Sequence, residues 1–335
     1  MTMNESVPGS FKAFRIHNDD DGYRAGVESV SLEDLSEGDV TIKVHFSGIN
    51  FKDALAGTGK GKILRRFPLN GGIDAAGTVI SSASEHFNPG DEVLVTGSGL
   101  SETRDGGYSE YLRLDSAWLI PLPPSLSMLE AMTLGTAGFT AAMSLYRMEI
   151  NGQKPEQGPI VVTGATGGVG SIAVDIFSTA GYEVHAISGK TEQFAWLESL
   201  GASQCYSRHD LEWGKRPLES ARWAGCVDSV GGEMLSGITA AIKPWGNIAS
   251  CGLAGGVALN TTVLPFIIRG VSLLGIDSPS CPYSIREEIW PRLASAWKPR
   301  HLDEICHEQV ALDGMSEIFN RILAGQSLGR VVVKL

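Results

Sequence analysis

Cysteine is scarce in this 335-residue chain and confined to its later half, as Cys205, Cys226, Cys251, Cys281 and Cys306. No two of them form a CxxC pair. That excludes a zinc finger, a dithiol redox motif and a disulfide framework, and leaves reduced thiols packed as small hydrophobes. Long apolar runs are missing too. None approaches the roughly 18–20 residues of a membrane-crossing helix, so no bilayer span is expected. The first ten residues, MTMNESVPGS, lack the basic start and apolar stretch of a secretory signal. They read as a short extension, and the expected compartment is the cytoplasm. Positive charge is in deficit, since 27 Lys and Arg face 38 Asp and Glu for a formal net charge of −11. Such an excess repels polyanions, which argues against nucleic acid and anionic membrane as partners and for a small-molecule substrate.

What is present describes a globular protein. A hydrophobic share of 43% with 19% charged residues can build cores, and the length predicts about two domains. Glycine is abundant, at 41 residues, without a repeat, so many tight turns are implied. From Phe11 to about Trp118 short β-branched segments alternate with turn residues, as in VTIKVHF (40–46), GTVI (77–80), DEVLVT (91–96) and YSEYL (108–112). After Pro121-Leu122-Pro123-Pro124 the pattern changes. A helical segment at 127–146, interrupted by glycine, leads to apolar strands at 159–163 and 182–187. Further strand candidates follow at 203–206, 225–228, 246–250 and 271–275. Helices alternating with buried strands predict a parallel sheet. The terminal GRVVVKL (329–335) is again a strand, expected to return to the first domain.

The strongest local signal is VTGATGGVGSIA (162–173), a strand entering a glycine-rich turn and then a helix. Backbone amides at such a turn, at the positive end of a helix, suit a pyrophosphate. Gly164, Thr166, Gly167, Gly168, Val169 and Gly170 are therefore candidate cofactor contacts, in a GxxGGxG spacing rather than GxGxxG. An NAD site usually carries an acidic residue about 20 positions on. This chain has Ser188-Gly189-Lys190 there. A hydroxyl and an ammonium meet a 2′-phosphate that a carboxylate would repel, so NADPH is the expected cofactor, with Arg208 able to close on the same phosphate.

With these residues in hand the chain resembles the medium-chain dehydrogenase/reductase superfamily, and within it the zinc-free, quinone-oxidoreductase-like branch that holds the acryloyl-CoA reductases. The likeness runs from Phe11 to Leu335. It rests on SGINFKDAL (47–55), GGIDAAGTV (71–79), LGTAGFTA (134–141), the glycine turn, SGK (188–190) and GRVVV (329–333). The implied fold is α/β, a GroES-like β-rich catalytic domain (1–130 and 282–335) with an inserted Rossmann doubly wound parallel-sheet domain (131–281). Zinc-dependent relatives place a cysteine where Asn50 stands and a histidine where Ile73 stands, so the resemblance implies no metal. It also implies hydride transfer from NADPH to an electron-poor double bond.

Among the residues the likeness singles out, Asn50 would fix cofactor or substrate, Phe51 would pack against them, and Asp53 would hold the loop. Thr136, Thr140, Gly252, Leu253, Ile276, Ser278 and Asn320 are further cofactor candidates. Lys60, Lys62, Arg65 and Arg66 form the densest basic cluster of an acidic chain. As substrate contacts, Lys62, Arg65 and Arg66 would attract the phosphates of a CoA thioester; the bland alternative is a solvated basic loop. Reduction of a short 2-enoyl-CoA, acryloyl-CoA foremost, is the leading expectation. A quinone or general enone reductase is the alternative, and an NADPH-binding protein without turnover stands outside both. The resemblance further implies a homodimer, with 271–276 as the pairing edge strand.

Overall fold

The computed structural model describes residues 7–214 and 216–335. The chain divides into two compact units. The first runs through Thr136 and takes in Pro279–Ala294 and Leu302–Leu335, and the second comprises Ala137–Ser278 with Ser295–His301. The divisions expected at 130/131 and 281/282 thus fall at 136/137 and 278/279, and 295–301 lies in the second unit. Asp175 holds that segment: its carboxylate accepts from Arg300 N at 3.1 Å and from His301 N at 2.9 Å.

Elements follow in chain order. The first unit opens with β1 (Phe11–Asp19), β2 (Gly22–Val30), β3 (Val40–Gly48), α1 (Phe51–Thr58), β4 (Leu69–Asn70), β5 (Asp74–Ser82), β6 (Glu92–Thr96), β7 (Tyr111–Leu114) and β8 (Ile120–Pro121). Then α2 (Met128–Ile150) leads to β9 (Ile160–Thr163), α3 (Gly168–Thr179), β10 (Val184–Ser188), α4 (Phe194–Ser199), β11 (Ala202–Ser207) and β12 (Trp223–Asp228). The second unit's sheet is completed by α5 (Gly232–Ala241), β13 (Ile242–Ser250), α6 (Leu264–Arg269) and β14 (Ser272–Gly275). The chain ends with α7 (Tyr283–Leu293), α8 (Leu302–Ile305), β15 (Cys306–Val310), α9 (Met315–Leu323) and β16 (Arg330–Lys334).

In the first unit a seven-stranded sheet runs β15-β16-β3-β5-β6-β8, with β7 also paired to β3. Alternate residues of β3, Val40, Ile42 and Val44, turn inward onto Val79, Val93, Val95, Leu112 and Leu114, the period of two that a half-buried strand requires. The terminal strand does return here, antiparallel to β3 with Val332 opposite Gly48. The strand expected at 108–112 begins only at Tyr111. Tyr108 instead donates its N–H to Gly71 O, and its carbonyl accepts from Phe14 N. A smaller sheet, β2-β1-β4, and α9 enclose a second core of Phe14, Ile16, Leu69, Met315, Ile318 and Phe319.

The second unit is a parallel six-stranded sheet in the order β11-β10-β9-β12-β13-β14. Numbered within the unit this is 3-2-1-4-5-6, the dinucleotide-binding order, with its switch point between β9 and β12. All four residues of β9 are buried, as in a strand covered on both faces.

The glycine interruption expected in the 127–146 helix is Gly135, at φ 46° and ψ −150° inside α2. A Cβ there would fall 2.6 Å from Asp74 Oδ2. Gly135→Ala is therefore expected to destabilise the protein by about 2–4 kcal/mol, combining backbone strain with a steric clash at a buried carboxylate. Urea unfolding measures it, and a loss below about 0.5 kcal/mol would contradict the strain.

Candidate functional site

The first cluster grows from the β9 turn. Gly164 takes φ 58°, and a Cβ on Gly170 would lie 2.3 Å from Gly164 O, so only glycine lets α3 begin this close to the turn. Gly167 is the N-cap and offers no side chain to the helix end. The first intrahelical bond is from Ser171 N to Gly167 O at 2.9 Å. The N–H groups of Gly168, Val169 and Gly170 precede it and have no intrahelical acceptor. An open helix N-terminus at the sheet's switch point fits a pyrophosphate.

The end of β10 brings four further predicted residues together. Ser188 Oγ lies 3.0 Å from Thr166 Oγ1 and accepts from Lys190 N at 3.1 Å. Ser188 O accepts from Arg208 N at 2.9 Å. A Cβ on Gly189 would stand 2.6 Å from Arg208 Nε, so the glycine makes room for the guanidinium. Burial lowers the Lys190 pKa and the Arg208 charge lowers it further, against the opposing effect of Glu192. A half-buried ammonium beside an exposed guanidinium suits an anion, which is the chemistry a 2′-phosphate supplies.

At the carboxyl ends of β13 and β14, Gly252 packs so tightly that a Cβ would meet Ser229 O at 2.3 Å. Leu253 beside it is exposed. Ile276 N donates to Ser250 O at 3.0 Å, and the Ser278 and Thr140 hydroxyls share a 2.6 Å hydrogen bond. Burial pushes the Cys251 thiol up to about 12, so it is a poor nucleophile at neutral pH.

The first unit holds a different cluster, buried and polar. Asn50 caps α1, and its amide is fully committed. Nδ2 donates to Asp74 Oδ2 at 2.7 Å and to Asp53 Oδ2 at 3.1 Å, while Oδ1 accepts from Arg330 Nη1 at 3.0 Å. With both amide hydrogens spent on carboxylates, Asn50 has none left for a ligand. Asp53 also accepts from Asn50 N at 2.8 Å and Ile73 N at 3.1 Å. Burial, reinforced by the neighbouring Asp74 charge, pushes its carboxyl up to about 7. Thr136 donates its N–H and hydroxyl to Asp74. Phe51, the first residue of α1, is 39% exposed.

Lys60, Lys62, Arg65 and Arg66 are all exposed. Arg66 Nη2 donates to Ser36 Oγ at 2.6 Å, which donates in turn to the buried Asp105 at 2.7 Å. That chain anchors one end of the loop. Asn320, exposed on α9, donates to Ser316 O of its own helix at 3.0 Å. Sequence reasoning gave no role to Asp74, Tyr108 or Arg330. The signal was available: Asp74 and Arg330 are charged residues that lead directly into the apolar runs of their strands, inside motifs already singled out.

Two family models match the chain, the alcohol dehydrogenase GroES-like domain over residues 36–124 and the zinc-binding dehydrogenase over 168–295. Together with a dinucleotide-type sheet and its glycine turn, they define an oxidoreductase of the medium-chain dehydrogenase/reductase class. YhfP of Bacillus subtilis, a proposed quinone oxidoreductase by name, is 47% identical over 97% of this chain and 99% of its own. Acrylyl-CoA reductase AcuI of Ruegeria pomeroyi is 44% identical over 96% and 98%. Among solved structures, the yhdH oxidoreductase from Salmonella enterica in complex with NADP superposes with TM-score 0.93 at 43% identity, covering 97% of this chain and 99% of that one. YhfP with NAD bound superposes with TM-score 0.94 at 46% identity, covering 98% and 100%. The chain belongs to the quinone-oxidoreductase-like branch of the medium-chain dehydrogenase/reductase family that holds these proteins.

Zinc, which one family model's description names, does not fit the residues present. Ile73 has no donor atom, and the Asn50 amide is spent as described. Among the described residues no group of three or more His, Cys, Asp or Glu is placed to hold a metal ion.

The raised Asp53 value carries a stability prediction. An unfolded aspartate titrates near 3.9, so between about pH 4 and pH 7 the folded protein holds this proton more tightly than the unfolded chain. Its contribution to stability therefore falls as pH rises through that window. The stability difference between the wild type and Asp53→Asn, measured by urea unfolding at pH 5 and pH 8, is expected to move in the variant's favour at the higher pH. A difference independent of pH would refute the assignment.

Proposed function

We propose that the protein is an NADPH-dependent reductase of short 2-enoyl-CoA thioesters, with acryloyl-CoA the first candidate. The observation that carries the reading is the paired cations Lys190 and Arg208 beside Ser188 and the open α3 N-terminus, in a chain 44% identical to an acrylyl-CoA reductase over nearly its whole length. The backbone amides of Gly168, Val169 and Gly170 would take the pyrophosphate, and Ser188, Lys190 and Arg208 the 2′-phosphate. Gly164, Thr166, Gly167 and Gly189 keep that approach open. Gly252, Leu253, Ile276 and Ser278, at the strand ends, would frame the nicotinamide.

NADPH, when bound, would supply a hydride to the β-carbon of the conjugated thioester, and a proton from water or from a ribose hydroxyl of the cofactor would complete the reduction at the α-carbon. Phe51 offers an exposed apolar face for packing, held in place by the Asn50 cap. The exposed cations Lys62 and Arg65, with Arg66 anchoring their loop, would attract the phosphates of CoA. A quinone substrate is the second reading, favoured by the 47% identity to YhfP. Such a substrate carries no phosphates, so the basic loop separates the two. We further infer a homodimer joined along β14. That strand ends the six-stranded sheet, and Leu273, Ile267 and Ile268 nearby in sequence are exposed.

Oxidation of NADPH at matched acryloyl-CoA and quinone concentrations tests the proposal. Turnover of the thioester is expected; preference for the quinone promotes the second reading, and silence with both despite NADPH binding rejects both. Lys190→Ala is expected to raise the Kd for NADPH by about 10–100-fold, the range of a lost charge-assisted hydrogen bond, while moving that for NADH less than about 3-fold. Equal losses would remove the 2′-phosphate assignment. Arg65→Ala should raise the KM for the CoA ester several-fold and leave that for a small quinone unchanged. Light scattering that finds only monomer at micromolar concentration would reject the dimer.

A further inference from the structure

Beside the basic loop of the first unit stands an arginine without an acceptor. Arg104 Cζ lies 3.4 Å from the centroid of the Trp118 ring, where the face of an indole attracts a cation. Among the described residues no hydrogen bond or ion pair reaches this guanidinium. Its Nε is buried, while its two Nη groups, equally unbonded, are not. Arg15, Arg66, Arg113, Arg286 and Arg330 of the same unit each donate to a protein oxygen. Burial lowers the Arg104 pKa, the Asp115 charge opposes that shift, and the Arg66 charge adds to it. Asp115 is itself exposed and accepts from Ala117 N at 2.9 Å. A half-buried guanidinium without a partner is costly, and the fold supplies it with a seat rather than with an acceptor.

The loop that carries Arg104 is fixed. Ser101 N donates to Arg104 O at 2.8 Å, Glu102 N to Gly99 O at 3.1 Å and Ser98 N to Pro279 O at 3.1 Å. Ser98 and Ser101 hold left-handed backbone, at φ 53° and 57°, which residues other than glycine keep only where the surroundings impose it. A Cβ on Gly99 would lie 3.2 Å from Arg104 Nε, so the glycine leaves room for the side chain. Two connections stitch this loop to the basic one. Arg65 N donates to Glu102 O at 2.8 Å, and Ser36 Oγ accepts from both Arg66 Nη2 at 2.6 Å and Asp105 N at 2.9 Å. The acids of the loop are already occupied: Glu102 pairs with Lys52, and the buried Asp105 accepts from Ser36 Oγ and Asn70 N.

We propose that Arg104, seated on Trp118, is the fixed contact for a phosphate group of the CoA thioester, its Nη groups donating to the phosphate oxygens while Arg65 and Arg66 on the adjoining loop add attraction around it. This deepens the enoyl-CoA reading and rests on it. Guanidinium groups from two joined loops match a phosphate, whose oxygens accept the parallel N–H bonds of a planar fork. A guanidinium already held against an indole loses little freedom on binding, so its hydrogen bonds add affinity that a mobile surface cation does not. The roles of the arginines therefore differ. Arg65 and Arg66 are exposed and act through a field that salt screens, whereas Arg104 acts by contact and requires the fork.

Steady-state reduction of acryloyl-CoA and of acryloyl-pantetheine, the same thioester without phosphates, tests the contact. Arg104→Gln is expected to raise the KM for the CoA ester about 10–100-fold, the range of a lost charge-assisted hydrogen bond, and to leave that for the pantetheine ester within about 2-fold. Arg104→Lys keeps the charge without the fork and should recover only a small part of the loss; full recovery would make Arg104 one more surface charge and overturn the contact. Trp118→Leu removes the seat and should raise the KM for the CoA ester alone, which keeps the test open if Arg104→Gln does not fold. Equal rises with both esters, or none with either, would overturn the proposal. Calorimetric titration of CoA into protein saturated with NADPH, so that the Lys190 and Arg208 corner is already filled, reads the same site without turnover. CoA binding that weakens in Arg104→Gln, in a protein that reduces no thioester, would refute the reductase reading and leave the site standing. Rapid reduction of acryloyl-CoA with an unaltered KM in Arg104→Gln would do the reverse.

Discussion

The first unit is organised around one buried ion pair, Arg330 with Asp74. Arg330 comes from the last strand of the chain and Asp74 from β5. Between them they bind the carbonyls of Ile49 and Thr133, the amide of Asn50 and the backbone of Thr136. The N-cap of α1, the kink in α2 and the return of the carboxyl-terminal strand are thereby joined through one small polar volume. Burial pushes Asp74 up and Arg330 down, each toward its neutral form, and only close geometry with many hydrogen bonds offsets that cost. Removing one partner of such a pair typically costs about 3–5 kcal/mol, because the other is left charged and unpaired. Gly48 and Gly135 follow from this constraint. A Cβ on the first would meet Arg330 Nη2 at 2.5 Å and one on the second Asp74 Oδ2 at 2.6 Å.

The second unit offers donors of another kind. Its cradle is backbone, with three N–H groups left over at the start of α3 because a helix cannot satisfy its own first turn. Side-chain charge enters only at the end of β10, where Lys190 and Arg208 meet. The first unit therefore encloses one ion pair among its hydrogen-bond partners, whereas the second leaves backbone N–H groups and two neighbouring cations at the carboxyl ends of β9 and β10. That arrangement suits a dehydrogenase in which, as proposed, those donors would recognise the cofactor, while the helix end bearing Phe51 is held by buried donors and acceptors.

Much of this was legible in the residues. The GxxGGxG turn, its apolar entry strand and the absence of an acidic residue at 188–190 are local features, and their physics is local: a tight turn needs glycine, and a 2′-phosphate needs positive charge. The parallel sheet follows from helices alternating with short apolar runs. The role of Asn50 was read differently from what the structure contains. As a lone amide in a motif it suggested a hand for cofactor or substrate, whereas its hydrogens are spent on Asp53 and Asp74. Those partners stand 3 and 24 positions away and Arg330 stands 280 away, a separation no periodicity records. The seven-residue segment 295–301 joined the second unit for a similar reason, because Asp175 captures it from 125 positions earlier.

By itself, then, the amino-acid sequence determined the class of fold, the glycine-rich turn after β9 and the presence of an ammonium rather than a carboxylate after β10, since each arises from residues adjacent in the chain and from the elementary preferences of glycine, β-branched side chains and ammonium groups. Tertiary structure alone decided which carboxyl group has a cation and which has none. Asp53 and Asp74 are the same residue type in similarly glycine-rich surroundings. What separates them is that Arg330, arriving on the last strand, turns to Asp74 at 3.8 Å and leaves Asp53 to the N–H groups of Asn50 and Ile73, so that one buried carboxyl group faces a cation and the other only neutral donors.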